Sequence, residues 1–148
     1  MMKVSDFCIT DEAIPQDIAD KILTNFIMPI NNFTQALGIN VFVSKKSGWR
    51  PIPYEFSKNR SGRSEHTFSK DRGATGLGAA DIITEHRSDM SLLGFWLLSQ
   101  SPFRRITYYR NKGFYHVDYA SKDNRLFFED WVSVNKAEFI KAINFSID

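Results

Sequence analysis

Cysteine is almost missing from this chain. Cys8 is the only one, so no disulfide can form within it and no cysteine-built zinc knuckle is possible. Any metal ion would have to be held by nitrogen and oxygen. Charge of one sign is equally scarce: the formal net charge is +2 and Lys and Arg are interspersed with Asp and Glu, which gives a nucleic-acid partner little support. No stretch approaches the roughly 20 apolar residues needed to span a bilayer. The opening Met1-Met2-Lys3-Val4-Ser5-Asp6 has no basic region followed by an apolar run, so the expectation is synthesis in the cytosol without a signal peptide.

What is present suits one domain over 1–148, with 43% hydrophobic residues to build a single core. From Pro15 to Leu37 the apolar residues Ile18, Ile22, Phe26, Ile30, Phe33 and Leu37 fall three or four apart, one face of a helix that Gly38 stops and Pro29 should kink or divide. Ile39 to Ser44 reads as a short buried strand. Lys45 to Gly78 lacks periodicity, is rich in Ser, Gly, Lys and Arg, and is punctuated by Pro51 and Pro53, so it reads as a long loop; loops of this length are usually functional or disordered. Ala79 to Thr84 follows as a strand and about Ser88 to Gln100 as a helix. Arg105 to Arg110 and Phe114 to Tyr119 read as two strands joined by Asn111-Lys112-Gly113, a turn signature in which Gly supplies a positive φ. Leu126 to Phe128 suggests a further strand and Ala137 to Ile143 a closing helix. The fold class expected is α+β, a small antiparallel sheet with helices packed on one side.

Three residues carry chemistry by their contexts: His66 in Ser64-Glu65-His66-Thr67-Phe68, Asp81 in Gly76-Leu77-Gly78-Ala79-Ala80-Asp81-Ile82, and His116 in Phe114-Tyr115-His116-Val117-Asp118-Tyr119. Two imidazoles and one carboxylate suit a zinc ion whose fourth tetrahedral position stays open for water. Strand alternation places Phe114, His116 and Asp118 on one face and Tyr115, Val117 and Tyr119 on the other. It also divides Tyr108 and Tyr109 between core and cleft wall. Taken singly the histidines are bland: His66 reads as a solvated loop residue, His116 as a satisfied core residue and His86 as a surface residue. The run Lys58 to Arg63 reads as a solvated face.

Together with the turn Ser47-Gly48-Trp49-Arg50-Pro51, these segments resemble peptidase family M15, the zinc D-Ala-D-Ala carboxypeptidases and dipeptidases, and especially its small phage-encoded members. The family pattern is a Ser-Gly-Tyr/Trp-Arg turn, then Ser-x-His, then Gly-x-Ala-x-Asp, then a later His. The resemblance implies Zn2+ bound by His66, Asp81 and His116. It further implies Arg50 as the residue that binds substrate and stabilises charge on the carbonyl oxygen, and Ser64 as a substrate contact. The fold it implies is one shared with the hedgehog signalling domain. The implied partner is the peptidoglycan stem peptide, cut in carboxypeptidase or endolysin fashion, by a protein associated with a virion or released at lysis.

Two features depart from the pattern. His66 and Asp81 stand fifteen positions apart where most members keep seven, so Thr67 to Thr75 reads as an inserted loop. Many members also carry a general-base carboxylate three residues before the last His, and Gly113 occupies that position here. Asp118 is the nearest substitute as catalytic base, though it could equally orient a ligand. Arg50 could likewise pair with Glu55. The alternative to an enzyme is a zinc-containing binding or virion structural module with this fold and no turnover.

Overall fold

The computed structural model describes residues 1–44, 47–70, 74–121 and 123–145. The apolar repeat between Pro15 and Gly38 folds as one helical path in three parts, α1 (Gln16–Ile22), a π-helical segment (Leu23–Ile27) and α2 (Met28–Leu37). Pro29 explains the middle part. Its ring cannot donate to the carbonyl of Asn25 four residues back and would collide with it, and the wider π turn relieves the collision. The carbonyl so released accepts a hydrogen bond from the Tyr119 hydroxyl at 2.5 Å. Ile22, Phe26, Ile30 and Phe33 form the buried stripe of this path, whereas Leu37 at its end is exposed.

Six strands form one sheet: β1 (Val41–Val43), β2 (Ala79–Thr84), β3 (Arg105–Tyr109), β4 (Phe114–Asp118), β5 (Arg125–Phe128) and β6 (Val132–Val134). Their order is β1-β2-β4-β3-β5-β6, and the architecture is α+β as expected. The sheet is mixed rather than antiparallel, because β5 runs parallel to β3. β5 lies on the far side of β3 from β4, two strand spacings of about 4.8 Å each away, and starts at the same end as β3. Arg104 ties β4 and β5 to that end, donating from its N–H to the Asp118 carbonyl and accepting from the Arg125 N–H. β6 was not anticipated; three residues are too few to show alternation.

The long loop expected over Lys45 to Gly78 needs correction as well. Its described residues contain α3 (Ile52–Ser57) and a 3₁₀ turn (Glu65–Thr67), while Lys45, Lys46 and residues 71–73 lie outside the described residues. Pro51 and Pro53 look like helix breakers, yet Pro51 immediately precedes α3 and Pro53 lies in its first turn, where a missing N–H costs nothing. Buried Glu55 of this helix pairs with Arg60 at 2.8 Å and not with Arg50.

Helices α4 (Met90–Ser99) and α5 (Lys136–Phe145) cover one face of the sheet, where Ala80, Ile82, Ile106, Tyr108, Tyr115 and Val117 are buried. The Tyr115 hydroxyl donates to the Met90 carbonyl at 2.7 Å, and Phe139 of α5 packs beside Tyr108. The opposite face carries the polar residues. The pairings Asp81↔His116, Thr107↔His116 and Thr107↔Phe127 make one cross-strand row, and Ala79↔Asp118, Arg105↔Asp118 and Arg105↔Arg125 make the row beside it. No helix among the described residues is long and apolar enough to cross a membrane.

Candidate metal centre

Asp81 and His116 meet because β2 and β4 are neighbours and place these residues directly opposite each other, side by side on the polar face. Asp81 Oδ1 lies 2.9 Å from His116 Nδ1. His66 arrives from the 3₁₀ turn, whose first peptide is capped by Ser64: its hydroxyl accepts from the His66 N–H at 3.2 Å. His66 Nε2 then stands 3.5 Å from the same Asp81 oxygen. One ligand atom from each of the three residues lies within 4.8 Å of the others, and all three residues are buried.

The Ser47-Gly48-Trp49-Arg50 turn holds His66 in place. The Asp81 N–H donates to the Ser47 carbonyl, the Trp49 N–H to that of Phe7, and the Arg50 N–H to that of His66. The Gly48 carbonyl can only accept, so the 2.9 Å contact with His66 Nδ1 places the ring proton there and leaves Nε2 as a bare donor facing Asp81. A Cβ on Gly48 would lie 2.5 Å from the Phe7 carbonyl oxygen and 2.6 Å from its Cα, backbone atoms that cannot step aside. Gly48→Ala is therefore expected to destabilise the protein by about 1–3 kcal/mol and to weaken metal binding through His66. Chemical denaturation and a chelator titration check both. An unchanged midpoint would show that the turn does not press on Phe7.

His116 is gripped from both sides, by Asp81 at Nδ1 and by Asp118 Oδ2 at Nε2, 2.7 Å away. Asp118 has no exposed surface. Its carboxylate also receives Arg105 through Nε at 3.0 and 2.9 Å and through Nη2 at 2.6 Å, together with the Ala120 N–H at 2.8 Å. Fully engaged beneath His116, it does not line the cleft. Of the two roles open to Asp118, base or orienter of a ligand, this geometry is that of a carboxylate orienting a histidine. The Arg105 guanidinium in turn stacks on Trp131 at 4.6 Å, and the Trp131 ring meets His116 edge-on at 5.3 Å.

Burial and charge set the protonation states. Burial lowers the pKa of His66, only partly offset by Asp81. Burial alone would raise Asp81, but His66 and His116 overcome it and hold the carboxyl well below the usual carboxylate range. Burial works against a charge on His116 too, yet Asp118 and Asp81 at its two nitrogens push its pKa up to about 9. Asp118 is held low against burial by His116 and Arg105.

No family model, curated protein or solved structure matches the chain. What the site can do follows from its own atoms. Two imidazole nitrogens and one carboxylate oxygen are a donor set that could hold a metal ion, and they are compatible with zinc. The fit extends beyond the ligands, since Gly48 and Asp118 fix the far nitrogen of each histidine.

The three donors open into a cleft of about 290 Å³. One wall is Arg50 with Ser64; Arg50 Nη2 comes within 3.8 Å of Asp81 Oδ2. Another is Phe114 and Tyr109, stacked at 4.7 Å with Lys112 beside them, and Trp131 closes a third side. So Arg50, Ser64, His66, Asp81 and His116 share one site, Asp118 stands behind it, and exposed His86 is elsewhere. Gly113 lies at the hairpin turn with φ 78, and a Cβ there would meet nothing within 4 Å.

Sequence reading missed Arg105, although the hairpin could have supplied it. Counting back from the Asn111-Lys112-Gly113 turn pairs Tyr109 with Phe114 and so Arg105 with Asp118. Trp131 had no such signal. It and Asp130 adopt left-handed φ values of 59 and 62, in a turn without glycine.

Proposed function

We propose that this chain is a zinc-dependent metallopeptidase that hydrolyses a peptide bond in bacterial cell-wall stem peptides. The observation that carries the reading is the convergence of His66, Asp81 and His116 at the floor of a cleft whose wall presents Arg50 and Ser64. His66 Nε2, Asp81 Oδ1 and His116 Nδ1 would hold the ion. When bound, zinc polarises the scissile carbonyl and makes water nucleophilic near neutral pH. Arg50, beside Asp81 and only partly exposed, is placed to donate to the carbonyl oxygen as charge develops on it. Ser64 meets the substrate from the same wall. Asp118 and Arg105 keep His116 in one ring orientation throughout.

The substrate class rests on the resemblance to the zinc D-Ala-D-Ala carboxypeptidase family, carried by Ser47-Gly48-Trp49-Arg50, Ser64-Glu65-His66, Ala79-Ala80-Asp81 and His116. The α+β architecture is compatible with the hedgehog and D-Ala-D-Ala-peptidase type of fold that this likeness implies. Carboxypeptidase and endolysin action both suit the open cleft. A phage enzyme, virion-associated or released at lysis, would meet such a substrate.

One observation favours a second reading, a zinc-containing binding or virion structural module without turnover. Among the described residues lining the cleft, Asp81 is the only carboxylate, and Gly113 stands where a base is expected. Incubating zinc-loaded protein with purified peptidoglycan separates the two. Hydrolysis predicts new amino termini in the muropeptides, reduced about 100- to 1000-fold in Arg50→Ala, as for loss of an oxyanion donor. Unaltered muropeptides from protein carrying one zinc per chain would favour the binding module.

A further inference from the structure

A hydrolase at this cleft needs polar hydrogens aimed at the reacting bond. Among the described residues lining it, Asp81 is the only carboxylate and is engaged with His116, while Arg50, Ser64, Tyr109, Lys112 and Trp131 carry such hydrogens. Tyr109 is set apart by its place. It closes β3, on the other side of β4 from the strand bearing Asp81, and so faces the cleft from the flank across from Arg50. Its ring lies nearly flat on Phe114, with planes 20° apart, while the Lys112 ammonium sits 5.7 Å from the ring centre. The hairpin turn fixes its backbone, the Tyr109 carbonyl accepting from both Gly113 and Lys112 N–H groups. Its ring is thus packed on Phe114 from a fixed stretch of backbone.

Its hydroxyl also lies within the electrostatic reach of the metal-ligand row. Burial and then the Asp81 charge raise its pKa, with Arg105 and Arg50 opposing, so the phenol keeps its proton across the neutral range. A protonated phenol, stacked on Phe114 at the rim of a partly desolvated cleft, is a hydrogen-bond donor that costs little reorganisation when charge appears.

Resting on the metallopeptidase reading, we propose that Tyr109 is a catalytic residue whose hydroxyl donates a hydrogen bond to the tetrahedral centre formed at the scissile carbon, complementing Arg50 from the opposite flank. No proton is transferred in this role; the O–H stays intact and strengthens its bond as the carbonyl oxygen becomes negative. The ground-state amide offers less charge and gains less. The hydroxyl should therefore act on kcat and hardly on KM.

Tyr109→Phe tests it, since the substituted ring keeps its stacking on Phe114. In zinc-loaded protein, kcat on a stem-peptide substrate is expected to fall about 10- to 100-fold with KM nearly unchanged, the effect of one hydrogen bond to a charged group. Binding of a phosphinate peptide isostere, measured by calorimetry, should weaken by the same factor, while zinc content and melting temperature match the parent. Parental kcat and phosphinate affinity in Tyr109→Phe would overturn the role of Tyr109 and leave the metallopeptidase reading intact. A zinc-loaded parent that neither cleaves the peptide nor binds the phosphinate would overturn both.

Discussion

His116→Ala is expected to lower zinc from about one ion per chain to background, and to abolish hydrolysis with it. His116 is buried and its Nδ1 is one of the three donors gathered around Asp81 Oδ1. Removing it leaves His66 and Asp81, a two-donor set that cannot define a tetrahedral site. Changes one shell further out typically cost 10- to 100-fold in metal affinity, so loss of a ligand should exceed about 100-fold. The remaining histidine, His86, is exposed and does not line the cleft, so no nearby imidazole can compensate. Far-UV circular dichroism keeps loss of metal distinct from loss of fold. Full zinc retention in a folded His116→Ala protein would remove this residue from the coordination shell.

Asp118→Ala should show the second large effect, on stability first and on the metal second. The carboxylate is completely buried and joined to His116, the Ala120 N–H and Arg105. Breaking a buried ion pair by removing one partner costs about 3–5 kcal/mol. The Arg105 side chain keeps 27% of its surface exposed and can turn towards water, so about 2–4 kcal/mol is expected. Zinc affinity should fall about 10- to 100-fold because His116 loses the partner that fixes its ring. The sign of the pH dependence follows from the depressed pKa of Asp118. Its contribution is present at neutral pH and fades as the pH drops below about 4, so the gap between parent and variant should close in acid. Equal denaturation midpoints at neutral pH would contradict this role.

Much of the scaffold could be read from side-chain periodicity. β2 runs from Ala79 to Thr84 as expected, α4 and the β3–β4 hairpin lie within a few residues of their expected places, and the alternation that puts His116 opposite to Tyr115 is present. These elements declare themselves through local pattern and a glycine-bearing turn. The rest depends on tertiary choices. The parallel pairing of β5 with β3 depends on which side of β3 the chain reaches after β4, and β6 exists because the turn from Glu129 to Trp131 folds it back on β5. Nothing local distinguishes those outcomes.

The same division holds for the site. His66, Asp81, His116, Arg50 and Ser64 were legible because each sits in a short patterned context, and one cleft gathers all five. Asp118 was legible with two roles open, base or orienter of a ligand, and what favours the second is the Arg105 bond that only the strand register creates. The segment Thr67 to Thr75 is tied across its base, buried Glu65 accepting from the Thr75 N–H at 2.9 Å and from its hydroxyl; residues 71–73 of that segment lie outside the described residues. A fifteen-residue separation therefore still brings His66 beside Asp81. Spacing alone could not show that.

The most direct measurement is anomalous diffraction at the zinc absorption edge from crystals grown with equimolar zinc. One peak is expected, about 2.0–2.2 Å from His66 Nε2, a carboxylate oxygen of Asp81 and His116 Nδ1. A zinc peak bound elsewhere, or none between these three side chains, would contradict the metal centre and the hydrolytic chemistry drawn from it.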